Sequence, residues 1–172
     1  VMPVLSRDLL VASWVHRLCT LLVTYALSCE LMRQTFYEDL RDDPDLGNAF
    51  RADRVAVYYR GPATSRFIDP LLYFKGFHAI QTHRLAHWLY KKGRKDFAYY
   101  LQSRSSAVFQ TDINPAARIR RGIFLDPATG FAVGDPASIE ADVSLLLGLT
   151  PGRPRQPHQD RHPKHHPPRL PG

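Results

Sequence analysis

The sequence predicts an α+β chain with three parts: an all-helical N-terminal domain over 1–110, a short parallel β-helix of about two coils over 111–150, and an irregular tail over 151–172. Three observations predict this division. Apolar residues three and four apart dominate the first part. A six-residue apolar period begins at Ile113. Proline and basic residues then replace both patterns.

Helix-type spacing begins early in the chain. It predicts one helix over Leu22–Leu40 and a second over Leu46–Tyr59, with the Asp42-Asp43-Pro44 run as the interruption between them. Gly61-Pro62 then predicts a break, because glycine and proline together end regular structure.

A long helix is predicted over Leu71–Lys92. Asp69 is expected as its N-cap, Pro70 at its first position, and Gly93 as the residue that closes it. A further helix is predicted from about Asp96 to Phe109. The expected core positions of the long helix are Leu72, Phe77, Ile80, Leu85 and Leu89.

The apolar stretch Leu9–Cys29 predicts a short amphipathic helix and no membrane span. His16 and Arg17 interrupt it, so its apolar part is about half the ~20 residues that a bilayer requires. Cys19 and Cys29 match no disulfide framework or zinc spacing, so we expect two reduced thiols in a cytoplasmic protein.

A period of six characterises the next part, and it is neither helical nor that of a simple strand. Small, turn-prone residues separate its apolar positions. Such a hexapeptide repeat predicts a parallel β-helix in which three hexads form one coil and the repeated residue stacks on the coil below. The seven positions are Ile113, Ile119, Leu125, Phe131, Ala137, Val143 and Leu149.

Residues 151–172 predict an irregular tail. They hold seven of the 14 prolines and carry five basic residues against one acidic residue, a large part of the formal charge of +7. With no aromatic platform and no nucleic-acid-binding fold, this charge does not predict a nucleic-acid role.

No metal site is predicted. His83 and His87 have the four-residue spacing of metal ligands on a helix, but no third ligand accompanies them. The tail histidines are expected to bind metals only adventitiously.

Several motifs together resemble bacterial serine O-acetyltransferases, a hexapeptide-repeat acyltransferase family. The resemblance implies a left-handed β-helix, trimers stacked into hexamers, and acetyl transfer from acetyl-CoA to L-serine in cysteine biosynthesis. Acetyl-CoA is then a co-substrate and no cofactor is bound. The motifs are Pro70-Leu-Leu-Tyr-Phe-Lys-Gly-Phe-His-Ala, His87-Trp-Leu, Phe109-Gln-Thr-Asp-Ile-Asn-Pro-Ala-Ala-Arg-Ile, Gly122-Ile-Phe-Leu-Asp-Pro-Ala-Thr-Gly and Asp160-Arg-His-Pro-Lys.

The resemblance assigns four residues to family roles. Asp112 falls where the family has the aspartate that orients its catalytic histidine. Asp126 falls at a substrate-binding aspartate, and Arg161 and His162 match the pair that contacts serine.

Two family positions hold different residues here. Pro127 stands where the catalytic histidine is expected, and Gly61 where a serine-binding aspartate precedes a proline. The family also continues for several coils beyond Lys164, whereas this sequence stops at Gly172. We therefore expect a serine O-acetyltransferase-like chain of impaired activity. The alternative is a non-catalytic oligomerising remnant that co-assembles with an intact acetyltransferase.

Overall fold

A computed structural model describes residues 7–24, 27–61 and 64–146 of the chain. Across these residues a group of helices precedes a group of short strands. The helices are α1 (Arg7–Leu22), α2 (Cys29–Asp42), α3 (Pro44–Arg60), α4 (Asp69–Tyr73), α5 (Lys75–Lys91) and α6 (Lys95–Phe109). The strands are β1 (Thr111–Ile113), β2 (Arg118–Ile119), β3 (Phe124–Asp126), β4 (Phe131–Val133), β5 (Ser138–Ile139) and β6 (Ser144–Leu146).

The chain leaves helical structure between α1 and α2, so the predicted continuous helix over 22–40 is wrong at its start. Thr24 and Leu27 form an isolated antiparallel bridge there. Ser28 then begins α2 as its N-cap, and its hydroxyl accepts a backbone hydrogen bond from three residues ahead at 3.2 Å. A serine cap satisfies an N–H that the first helical turn leaves free, and this favours a new helix start.

The predictions for α3, α6 and Gly93 are confirmed. Gly93 has a φ of +80°, which glycine adopts without steric cost. Its N–H donates to the Tyr90 carbonyl at 3.1 Å, and the Arg94 N–H donates to the Leu89 carbonyl at 2.9 Å. These two bonds satisfy the final carbonyls of α5 and turn the chain into α6.

The predicted long helix is two helices, because Phe74 takes an extended conformation between α4 and α5. Asp69 is not its N-cap either. It is the first residue of α4, and its carboxylate accepts from the Arg66 N–H (2.9 Å) and the Ser65 hydroxyl (3.2 Å), both earlier in the chain. His78 ties the pieces together, since its Nε2 donates to the Leu71 carbonyl at 2.7 Å.

Two apolar cores meet along α5. The first lies among the helices, where the ring centroids of Trp14 and Phe50 are 4.4 Å apart and those of Phe50 and Phe77 are 5.5 Å apart. The second lies inside the group of strands and includes Ile80 of α5. Because α5 contributes to both, it joins the helical part to the strands. Leu72 is only half-buried, while the other four predicted core positions are buried.

The strands form three parallel two-stranded ladders, one on each side of a coil that makes two turns. β1 pairs with β4, β2 with β5, and β3 with β6. This arrangement is the parallel coiling that the hexapeptide pattern predicts. The apolar partners that face each other across the ladders are Ile113 and Val133, Ile119 and Ile139, and Leu125 and Leu145.

The register of the coil differs from the prediction. Ile113 pairs with Val133, so one turn takes 20 residues instead of the 18 of three hexads. Phe131, the next hexad position after Leu125, pairs with Thr111 in a neighbouring inward column. A spacing of six residues still joins inward-facing positions, because the first and last residues of β1 and of β4 all point inward. Leu149 and the tail lie outside the described residues.

Within the described ranges, none of the helices is both long and apolar enough to cross a membrane. Cys19 and Cys29 carry free thiols, and burial raises the pKa of the Cys19 thiol to about 12.

Asp39 is a buried carboxyl on the inward face of α2, with 1% of its surface exposed. It follows Met32 and Phe36 on the same apolar stripe. Burial, and then the charges of Asp43 and Asp42, raise its pKa from 3.8 to about 8, although Arg84 and Lys92 act in the opposite direction. The carboxyl of Asp39 therefore stays protonated in the folded protein over a pH range in which it is ionised in the unfolded chain.

We expect Asp39→Asn to stabilise the protein increasingly as the pH rises from about 4 to about 8. In that window the unfolded chain ionises Asp39 while the folded chain keeps it neutral, so each pH unit costs the native protein about 1.4 kcal/mol. Below pH 4 both forms are neutral and the advantage of asparagine disappears. Urea unfolding of both proteins across this range measures it, and a constant difference would contradict the shift.

Candidate active site

One corner of the coil carries the turn between β3 and β4. The Gly130 N–H donates to the Gln110 carbonyl at 2.9 Å, and the Thr129 hydroxyl donates to the Gln110 side chain at 2.9 Å. These bonds hold the turn after β3 against the start of β1. Pro127 begins that turn, and Asp112 follows Gln110 by two residues.

Asp112 is the middle residue of β1 and its side chain points outward. Thr111 and Ile113 on either side of it are buried. Gln102 of α6 donates its amide Nε2 to an Asp112 carboxylate oxygen at 2.6 Å. This bond orients the Asp112 carboxylate. The sequence pattern of α6 does not predict the bond, because Gln102 is neither one of the apolar nor one of the charged residues of the helix.

Asp126 ends β3 and Pro127 follows it, both exposed at the corner. Asp126 pairs with Leu146 of β6 along the ladder. The proline ring offers no basic nitrogen, so residue 127 cannot accept a proton from a hydroxyl. Residue 127 therefore supplies no base next to the Asp126 carboxylate.

Gly61 is buried at the end of α3, next to β3. A Cβ built at this position would lie 2.6 Å from the Val57 carbonyl oxygen, 2.8 Å from the Thr64 hydroxyl and 3.5 Å from the Phe124 ring. The backbone contact is too short for any real side chain, so the structure has no room at residue 61 for the aspartate of the family pattern without a local shift.

A buried ion pair fixes α3 and α5 against the strands. Asp53 is fully buried, and its carboxylate accepts from Arg84 Nη2 (2.7 Å), Gln81 Nε2 (2.8 Å) and the backbone N–H of Ile123 (2.9 Å). Arg84 also donates to the carbonyls of Ile119 (3.1 Å) and Arg120 (3.0 Å). One carboxylate thus links two helices to the turn that leads into β3.

The Asp53–Arg84 pair was not predicted, although the sequence carries a signal for it. Leu46, Phe50, Asp53 and Val57 follow helical spacing on the inward face of α3. A charged residue on an apolar stripe is costly unless it is paired, so its position indicates a buried partner.

His83 and His87, the two histidines four residues apart on α5, are buried and half-buried respectively. His87 Nδ1 donates to the Pro115 carbonyl at 2.7 Å. Burial lowers the pKa of His83 to about 3. Across the part of the chain that the structure describes, no group of three or more metal-binding side chains occurs. Arg161 and His162 lie outside the described residues.

The family model "Serine acetyltransferase, N-terminal" matches residues 1–82. The serine acetyltransferase of Escherichia coli (strain K12) is 47% identical over 133 residues, which are 77% of this chain and 49% of that protein. The chain spans about half the length of the curated relatives it matches.

Solved structures agree with this similarity. Serine acetyltransferase from Brucella abortus strain S19 in complex with coenzyme A is 55% identical, with a TM-score of 0.85 over 95% of this chain and 63% of that one. The Neisseria gonorrhoeae enzyme in complex with serine is 42% identical, with a TM-score of 0.82 over 88% and 62% of the two chains. This chain, with its helices, its parallel coil and its Asp112 corner, belongs to the serine acetyltransferase family.

Proposed function

We propose that the fold of this chain serves acetyl transfer from acetyl-CoA to the hydroxyl of L-serine, and that the chain as it stands performs this reaction weakly. The single observation that carries the proposal is the corner where the turn that begins at Pro127 is bonded to Gln110, two residues before Asp112. Related structures that hold coenzyme A and serine support the two substrates. We further propose a left-handed β-helix, cytoplasmic location and a homo-oligomer, a trimer or a hexamer.

The reaction needs a base at this corner. A serine hydroxyl attacks the thioester carbonyl only as its proton leaves, and the thiolate of coenzyme A departs and takes up a proton. In our proposal Asp112, held by Gln102, is set to orient a base at position 127, and Asp126 faces the substrate. Arg161 and His162 are proposed to contact the serine.

The impaired activity follows from two positions. Without a general base at residue 127 the rate falls by about 100- to 10,000-fold. Gly61 supplies no charge for the substrate ammonium group, and an aspartate there would need a local shift away from the Val57 carbonyl.

Release of the coenzyme A thiol from acetyl-CoA, with and without L-serine, tests the proposal. We expect the unchanged chain to stay near background and Pro127→His to raise serine-dependent release by about 100-fold or more. Pro127→Ala is the matched control, because it removes the ring without adding a base. Adding Asp112→Asn to Pro127→His is expected to reverse the gain.

The other outcomes separate the alternatives. Serine-dependent release by the unchanged chain requires a base other than residue 127. If no variant shows serine-dependent thiol release, the result favours the non-catalytic oligomerising remnant. Light scattering, alone and mixed with an intact serine acetyltransferase, then measures whether the chain assembles.

A further inference from the structure

A second polar cleft lies away from the Asp112 corner. It has a volume of about 490 Å³ and opens between the α2–α3 junction, α5 and the turn between β2 and β3. Asp39 and Asp43 line one wall, His83 and Trp88 another, and Arg121 borders the third. None of Asp112, Asp126 and Pro127 lines it, so the cleft is separate from the proposed acetyl-transfer site.

Three buried polar atoms of its walls have no hydrogen-bond partner among the residues that the structure describes. They are Asp39 Oδ2, His83 Nδ1 and Trp88 Nε1. Asp39 is 1% exposed and His83 is 4% exposed. A buried polar atom without a partner costs free energy, and native proteins contain few of them. Three around one cleft indicate a ligand with its own polar groups.

The chemistry of these atoms selects a positively charged donor. His83 is neutral because burial lowers its pKa to about 3, although an interaction with the Ala117 backbone acts in the opposite direction. A neutral imidazole has one acceptor nitrogen, and the unpartnered Nδ1 is available for that role. Asp39 adds a carboxyl group, which burial and the charges of Asp43 and Asp42 keep protonated below about pH 8. An ammonium group donates to Nδ1 and to the carboxyl oxygen, and its positive charge takes the place of the proton that Asp39 otherwise holds.

The rim of the cleft carries positively charged side chains. Arg84 is paired with Asp53, and Arg120 with Glu140 at 3.0 Å. Lys91 and Arg121 also line the cleft, and within the described ranges neither has a carboxylate at ion-pair distance. Two unpaired cations at the mouth favour an anionic group on the outer end of the ligand.

We propose that this cleft binds a small zwitterion of the amino-acid class, with its ammonium group against Asp39 and His83 and its carboxylate facing Lys91 and Arg121. The site does not depend on the acetyl-transfer proposal, since the two share none of these residues.

Calorimetric titration of the full chain with glycine, β-alanine and 4-aminobutyrate tests the proposal, because this series varies only the distance between the two charges. Methylamine and acetate are the single-charge controls. We expect at least one zwitterion to bind about 10-fold more tightly than either control. Asp39→Asn should weaken that binding by about 10-fold or more, and Arg121→Gln should weaken it as well.

Asp126→Asn is the matched control for a ligand in the proposed serine site, and it should leave the affinity unchanged. Loss of binding in Asp126→Asn but not in Asp39→Asn overturns the proposal. The proposal is also overturned if methylamine or acetate binds as tightly as the zwitterions, or if no zwitterion binds. Because Asp39→Asn is expected to fold at least as stably as the parent, lost binding in this variant reports on the site.

Discussion

Replacing Asp53 with alanine is expected to cost about 3–5 kcal/mol of stability, the range for breaking a buried ion pair on one side. The change leaves the Arg84 guanidinium buried without its partner. It also removes the acceptor of Gln81 and of the Ile123 N–H. Denaturant unfolding followed by circular dichroism measures the loss as a lower midpoint.

The matched control is Glu140→Ala. Glu140 also pairs with an arginine, but the pair with Arg120 is exposed, with 36% of the Glu140 side chain and 69% of the Arg120 side chain accessible. Exposed pairs contribute about 1 kcal/mol or less. Asp53→Asn keeps the shape of the side chain and should fall between the two. Equal costs for Asp53→Ala and Glu140→Ala would show that the buried pair does not hold the helices to the strands.

Gly76→Ala is expected to lower stability by about 1–3 kcal/mol or more, the cost of overpacking a tight contact. A Cβ at residue 76 would lie 1.9 Å from the Leu125 carbonyl oxygen and 2.9 Å from its carbon. Both are backbone atoms of β3 and cannot turn aside as a side chain would. The first turn of α5 would have to move away from the coil.

Gly47→Ala is the control, with the opposite expected sign. Gly47 also lies within a helix, but its Cβ would meet only the end of the Arg51 side chain, at 3.7 Å. Alanine favours a helix over glycine by up to about 1 kcal/mol, so this variant should gain stability. Thermal unfolding of both variants compares the signs. A gain in both would mean that α5 approaches β3 less closely than the structure places it.

The sequence by itself determined the order of the parts and their periodicity. Apolar spacing located α3 and α6, Gly93 marked the end of α5, and the six-residue period indicated parallel coiling. These features are local, because helix spacing, the αL conformation of a glycine and inward strand positions are set by a residue and its near neighbours.

Only the tertiary structure decided the break at Phe74 and the 20-residue turn. Gly76, two residues after the break, lies against Leu125, a contact across 49 positions of sequence that apolar spacing cannot register. The turn length depends on which strand pairs with which, and a period of six fits two neighbouring inward columns equally well. Pairing register is a long-range choice, so it follows from packing and not from pattern.

For the candidate site, too, one part was predictable from the sequence and another part required the tertiary structure. Family motifs in the sequence pointed to Asp112, Asp126, Pro127 and Gly61, and those roles stay predictions. The hydrogen bonds of Gln110 and Gln102, the closed space at Gly61 and the buried Asp53–Arg84 pair needed the fold. The physical reason is that a site is made of side chains from distant segments, and their meeting is decided by how the helices pack on the coil.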